Sequence, residues 1–307
     1  MASSRQKAAK IEGSRKNYKS FLRPYMYLFP TLILMFLLLV LPICIVVNYS
    51  FFDNVIVNKN PIFVGLDNYK KILTDSRFWD AVVHSLIFVS VSVVVHMFLG
   101  MLFAMLLNTR YFSRNTKAIF RVIYALPWMF TASVIAILWK MMMNNSGILN
   151  YLLMTFGITA DKIDWLGTRS LALGAVTLIN IWSGYPFYMI SILAGLQGIS
   201  TDLYEASAID GANSIQQFFR ITIPQLKPIL ISLIMLDFVW TLQQFALIWM
   251  TTGGGPINAT DTLSTYIYKL GFSKYEYSLS STAAVLLLIV CSIIGVFYVK
   301  QQRKVNE

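Results

Sequence analysis

Charge is what this sequence has least of. Asp, Glu, Lys and Arg make up 13% of 307 residues, while hydrophobic residues make up 57%. A soluble domain of this size is neither so apolar nor so poor in charge, so the chain reads as a membrane protein. Cysteine is almost absent as well. The two present, Cys44 and Cys291, both fall inside apolar runs, which excludes a disulfide framework and a metal knuckle. Histidine is as scarce: His84 and His96 lie in one apolar run, and their spacing puts them about 120° apart around a helix. They cannot share a metal or triad site on one face, and each reads as a buried, hydrogen-bonded histidine. No G-x-x-x-x-G-K-[ST] run occurs, so the chain has no loop of its own to cradle nucleotide phosphates. With no metal cluster and no triad, an enzyme is not expected.

What is there is apolar length. Six stretches approach the roughly 20 residues a helix needs to cross a bilayer core. They run from about Leu28 to Val47, Ala81 to Leu107, Val122 to Trp139, Leu171 to Leu196, Ile229 to Met250 and Ser280 to Val299. The expected fold is an all-α integral membrane protein of six transmembrane helices. Residues 24–300 form its membrane domain, between a basic tail at 1–23 and a short tail at 301–307. The first stretch has a basic flank like a signal peptide, but it is too long for a cleavable segment and no A-x-A-like site follows, so it reads as a retained anchor. The segment from Phe51 to Asp80 is the longest between the first two spans and is expected to carry short helices, such as Leu66 to Leu73.

The basic residues are placed unevenly. Seven lie between Arg5 and Arg23, four are Arg110, Arg114, Lys117 and Arg121, two are Arg220 and Lys227, and three are Lys300, Arg303 and Lys304, which leaves nine for the other side. The positive-inside bias therefore predicts that both termini, and the loop between the fourth and fifth spans, are cytoplasmic. The net charge of +11 falls on that same side. It reports topology and anionic lipid, and carries no nucleic-acid inference.

That loop contains EASAIDGANSIQQFFRITIP, residues 205 to 224, which cannot sit in lipid. Asp202 and Glu205 have capping-box spacing, and Leu203 to Ile209 predicts about two helical turns ending at Gly211, a residue suited to a left-handed cap. A second start is expected at Asn213 or Ser214. Pro224 and Pro228 are then expected to break the chain before the fifth span. Read physically, this is either an interfacial amphipathic hairpin that fills a loop or a docking element.

The pattern Glu205-Ala206-Ser207, Asp210-Gly211-Ala212, then Ile221, Pro224 and Pro228, resembles the cytoplasmic loop of the membrane subunits of binding-protein-dependent ABC importers. It departs from the usual pattern at Ser207, where alanine is common, and at Ile223, where leucine is common. FVGLDNYKKIL (63–73), LYEASAIDGA (203–212) and WMTTGGGP (249–256) are similar to the carbohydrate branch, of the maltose, glycerol-3-phosphate and multiple-sugar type. The resemblance covers nearly the whole chain from about Leu22. It implies a permease of a bacterial cytoplasmic membrane, multi-pass, paired with a second related permease. It further implies two ATPase subunits that bind ATP and Mg, so that this chain needs no cofactor, and an extracytoplasmic sugar-binding protein. The first helix of the loop, with Glu205, Ala206, Ser207, Asp210, Gly211 and Ala212, would couple to the ATPase.

The residues also suggest a path. Asp237 is the sole acid within any apolar span, and Trp240, Thr241 and Gln244 follow at helical spacing on one face. Carboxylate and amide groups bond paired hydroxyls while an indole covers a sugar ring, so this stripe suits a saccharide; an interhelical hydrogen-bond seam is the alternative. In WSGYPF (182–187), Gly184 and Pro186 are expected to interrupt the fourth span, either lining a cavity or giving a kink that lets helices pack. The resemblance implies that Trp182, Ser183, Gly184 and Phe187 contact sugar, together with Asp237, Trp240, Thr241 and Gln244. Gly253-Gly254-Gly255-Pro256 reads as a flexible loop beyond the fifth span, either an ordinary turn or, by resemblance, near the docked binding protein. No Lys or Arg lies within a span, which tilts the cargo towards a neutral di- or oligosaccharide. A different class of function stays open: a secondary transporter coupled to protons through Asp237, for which one carboxylate without an intramembrane basic partner is a thin relay.

Overall fold

The computed structural model describes residues 24–109 and 111–306, with side chains to residue 302; the basic tail 1–23, Arg110, the side chains of Arg303 and Lys304, and Glu307 lie outside it. The described residues are helical apart from turns and one isolated antiparallel bridge between Phe52 and Phe63. In chain order the helices are α1 (Pro24–Tyr49), α2 (Asp67–Thr74), α3 (Ser76–Asn108), α4 (Arg114–Met129), α5 (Ala132–Met142) and α6 (Ile148–Thr155). They continue with α7 (Arg169–Gln197), α8 (Thr201–Ile209), α9 (Ser214–Leu242), α10 (Ala246–Thr251), α11 (Leu263–Tyr268) and α12 (Tyr277–Asn306). Five of them, α1, α3, α7, α9 and α12, are long and apolar enough to cross a membrane, and α4 with α5 makes a sixth if that bent pair is one span.

Two of the six expected spans are not single straight helices. The third is bent by 96° between α4 and α5. Pro127 sits in the last turn of α4, Phe130 and Thr131 adopt extended backbone, and the Thr131 hydroxyl accepts from the Val134 amide at 3.5 Å to start α5. The fifth stops at Leu242, and a separate α10 follows. No glycine or proline marks that break. It is set by partners elsewhere in the chain: Ser264 Oγ donates to the Leu242 carbonyl at 3.2 Å, and Phe245 packs in a three-ring cluster with Tyr268 and Trp249, its centroid 4.8 and 5.6 Å from theirs.

Conversely, two expected interruptions are continuous helix. α7 runs unbroken through Gly184 and Pro186, and α9 runs through Pro224 and Pro228. A π-helical turn at Phe218–Thr222 immediately precedes Pro224, so the proline falls where the regular hydrogen-bond ladder is already interrupted and the helix continues past it. The expected helix at Leu66 to Leu73 is present as α2.

α3 and α7 form the most extensive helix pair and organise the packing. Lipid tails are as apolar as leucine, so such pairs are held by close van der Waals contact rather than by withdrawal from water. Gly100 permits that contact. A β-carbon there would overlap the Cβ of Tyr188 and come within 3.0 Å of the backbone of Tyr188 and Met189. Three apolar clusters result. One joins α3, α7, α11 and α12 around Phe88, Val176, Tyr266 and Ala283; one joins α3, α7 and α9 around Tyr188, Ile192 and Leu226; one joins α5, α7 and α10 around Trp139, Ile179 and Leu247.

At the α10–α11 end the glycine-rich segment is a hydrogen-bonded turn and not an open loop. The Thr260 hydroxyl donates to the Gly255 carbonyl at 2.7 Å, Lys269 pairs with Asp261 at 3.2 Å, and the Lys269 ammonium also reaches Asn258 Oδ1. Gly253 and Gly254 take positive φ, which those turns require. Nearby the Tyr266 hydroxyl donates to Asp75 at 2.8 Å; burial, then this bond and the negative charge of Asp75, hold that hydroxyl well above the ordinary tyrosine range.

Candidate functional site

A cavity of about 230 Å³ lies between α3, α4, α5, α7 and α9. Its polar side consists of Asp237, Thr241, Gln244, Asn180, Ser183 and His96, and its apolar side of Trp128, Phe130, Phe187, Trp240 and Leu247, with Ala132, Ile135 and Gly184 between them. Three aromatic rings form a continuous wall: Phe187 lies 5.8 Å from Trp128 at 30° and 5.3 Å from Trp240 at 51°. Of the eight positions read from the sequence as lining a path, seven meet here. Trp182 does not; it packs edge to face on Trp139 of α5 at 5.5 Å, in the apolar cluster that also holds Ile135 and Leu247. Gln244 reaches the cavity from the break after α9, so its spacing from Asp237 is not the helical one assumed for it.

Asp237, 7% exposed, is held on both oxygens. The Thr241 hydroxyl donates to Oδ1 at 2.9 Å, and Oδ2 lies 2.8 Å from His96 Nδ1. The other ring nitrogen of His96 is 3.1 Å from the Asn180 carbonyl oxygen, which also accepts from Ser183 at 3.0 Å. Gly184 makes room for this. A β-carbon at 184 would overlap Cε1 and Nε2 of the His96 ring, so the glycine in WSGYPF serves as clearance for a side chain from α3 and not as a kink. His84 is half-buried and separate, with Nδ1 3.1 Å from the Asp261 carbonyl oxygen.

Sequence reasoning reads His96 as a buried, hydrogen-bonded histidine, as it is, but misses its partner, which lies 141 residues away in the chain. The only available signal was that each is the rare titratable group in the middle of an apolar run. Trp128 and Phe130 were missed because the bend between α4 and α5, which points both at Phe187, was read as straight helix.

The loop residues form a second locality, at the opposite end of α9 from its break. Ser200 caps α8 by accepting from the Asp202 amide at 3.3 Å, a correction to the expected cap at Asp202. Gly211 has φ of +83°, and Asn213 and Gln216 exchange hydrogen bonds of 2.9 Å that start α9. The Gln217 amide spans the two helices, donating to Ser207 Oγ at 3.0 Å and the Tyr204 carbonyl at 3.1 Å. Two recesses flank the hairpin: one of about 540 Å³ includes Glu205 and Ala208, and one of about 320 Å³ is bordered by Ser207, Asp210, Gly211 and Ala212. Ile209, Ile215 and Phe219 are 87%, 70% and 64% exposed, an apolar surface on a segment that carries Glu205, Asp210 and Arg220. Among the described residues no three histidine, cysteine, aspartate or glutamate side chains converge as metal ligands would.

Residues 76–306 match the family described as "Binding-protein-dependent transport system inner membrane component". The trehalose/maltose transport system permease protein MalF of Thermococcus litoralis is 33% identical over 294 residues, covering 94% of this chain and 97% of that protein. The sulfoquinovosyl glycerol transport system permease protein SmoG of Agrobacterium fabrum is 30% identical over 273 residues, covering 88% and 87%. Among solved structures, a chain of a bacterial ABC transporter involved in import of the acidic polysaccharide alginate superposes with a TM-score of 0.81 at 25% identity, covering 95% of this chain and 99% of that one.

Proposed function

Because this chain belongs to the family of binding-protein-dependent transport system inner membrane components, we propose that it forms half of a sugar path: it pairs with a second, related permease and takes a neutral di- or oligosaccharide from a binding protein. It is a multi-pass subunit of the cytoplasmic membrane and a permease of an ABC sugar importer. It is not an enzyme; ATP hydrolysis belongs to separate ATPase subunits, where ATP and Mg are bound.

The observation that carries the cargo reading is the cavity. Asp237, Thr241, Gln244 and Ser183 present acceptors and donors to hydroxyl groups, opposite the aromatic wall of Trp128, Phe187 and Trp240, which suits the apolar face of a sugar ring. No lysine or arginine lines it, which favours a neutral saccharide over an anionic one. For the hairpin, the exposed Ile209, Ile215 and Phe219 beside Glu205 and Asp210 support docking on an ATPase, with both termini on the same, cytoplasmic, side. Proton-coupled secondary transport is not supported. The thin-relay argument against it fails, since His96 is a basic partner for Asp237, and it is the family that tells against it.

The test is purification of the tagged chain in mild detergent, identification of what accompanies it, and reconstitution into vesicles. The expected result is recovery with one related permease and a P-loop ATPase, and ATP-dependent uptake of maltose, trehalose or a related neutral saccharide when the binding protein is supplied. A chain that carries sugar alone, or a complex that carries only anionic sugars, would overturn the proposal.

A further inference from the structure

Of the two titratable groups that line the cavity, His96 is the one that no motif pointed to, and the geometry around it fixes its hydrogens. The Asn180 carbonyl oxygen, 3.1 Å from Nε2, can only accept, so Nε2 carries a proton. The 2.8 Å line from Nδ1 to Asp237 Oδ2 then holds one proton, either on an imidazolium facing a carboxylate or on a carboxylic acid facing a neutral ring. Both arrangements have the same net charge, which is zero. A lone carboxylate buried at bilayer depth would face a large desolvation cost, and a paired one much less. With Thr241 on Oδ1, the carboxyl group is fixed in two places and keeps lone pairs free towards the cavity.

We propose that His96 is a positioning residue for cargo recognition: through the gap left by Gly184 it holds Asp237 in a net-neutral pair, so that the cavity offers a sugar hydroxyl a strong, oriented acceptor without net negative charge. The inference rests on the reading of the cavity as part of a saccharide path. It also accounts for WSGYPF, because the glycine and the serine of that motif frame the histidine: Gly184 clears its ring, and Ser183 shares its carbonyl acceptor.

The experiment is a double-mutant cycle in the full complex reconstituted into vesicles, with radiolabelled maltose and trehalose as probes and a co-purification check on assembly. H96L and D237N are each expected to lower maximal uptake about tenfold, with little change in the concentration of loaded binding protein that gives half-maximal rate. The double variant is expected to be no slower than D237N alone, because His96 acts only through Asp237. H96N, whose amide can donate near the position of Nδ1, should recover part of the loss. Losses that multiply to about a hundredfold would overturn the inference and leave His96 as packing. Normal uptake by D237N would instead overturn the saccharide-path reading of the cavity, and the inference with it. Should the His96 variants not assemble, histidine-selective 15N NMR of the wild-type complex, labelled in this chain alone, decides the matter. A protonated Nε2 and a hydrogen-bonded Nδ1 at His96 support the pair, and an Nε2 without a proton refutes it.

Discussion

Gly184 and Gly100 look alike in the sequence, each a small residue in a long apolar helix, and the structure gives them different neighbours. A methyl at 184 meets the end of an imidazole, a side chain able to rotate; a methyl at 100 meets the backbone of α7, which is not. Overpacking of this kind costs about 1–3 kcal/mol. The expected outcomes therefore separate. G184A should assemble and lose uptake, because the ring moves off Asp237, whereas G100A should lower the thermal stability of the purified complex by parting α3 from α7. Uptake and thermal unfolding of the two variants side by side check this, and equal loss of stability in both would mean that Gly184 also serves packing alone. Trp182 belongs to the same lesson. It is adjacent to Ser183 in sequence, but about 100° of helical rotation carries it out of the cavity to a neighbouring face of α7, onto Trp139.

Among the elements, the hairpin of α8 and the start of α9 was the most legible. Gly211 and Asn213 announce their conformations through residue type alone, since a left-handed residue and a capping box are local events. The substitution of serine for alanine at 207 gains meaning only from the structure, where Ser207 accepts from Gln217 and ties the two helices together. No atom would crowd a side chain at 211, so the cost of replacing this glycine lies in the backbone, about 1–2 kcal/mol for forcing an L-residue to φ of +83°. G211V is expected to leave the complex assembled, to keep most of its ATP hydrolysis, and to reduce sugar carried per ATP several-fold; parallel ATPase and uptake measurements read that ratio. An unchanged ratio would mean the hairpin does not couple. The prolines of α9 were misread because their cost depends on position. Pro224 follows a π turn that has already displaced the regular hydrogen bonds, and a π turn has no signature in sequence.

The molecule as a whole carries one helix that packs on little of it. α1 has no buried residue across its most apolar stretch, whereas α4, α5 and α9 gather around α3 and α7, and α12 packs on α9. Orientation follows from charge asymmetry and is open to direct measurement. With Cys44 and Cys291 replaced, a cysteine at Ile209, 87% exposed, is expected to react with a membrane-impermeant maleimide only from the cytoplasmic side, and one at Ile257, 78% exposed, only from outside. The reverse pattern would overturn the assigned orientation and the docking role of the hairpin together.

The sequence alone determined the class of protein and where its apolar runs lie, because hydropathy is a sum over neighbouring residues and backbone satisfaction in lipid leaves helices as the solution. It also determined the turns of the hairpin, which depend on residues a few positions apart. Only the tertiary structure decided where helices break without glycine or proline, which face of α7 meets the cavity, and that His96 is the partner of Asp237. Each of those depends on groups far apart in the chain, such as Ser264 on Leu242, Phe187 between two tryptophans, and an imidazole passing a glycine to reach a carboxylate. Spacing along one helix carries no information about what a second helix places against it.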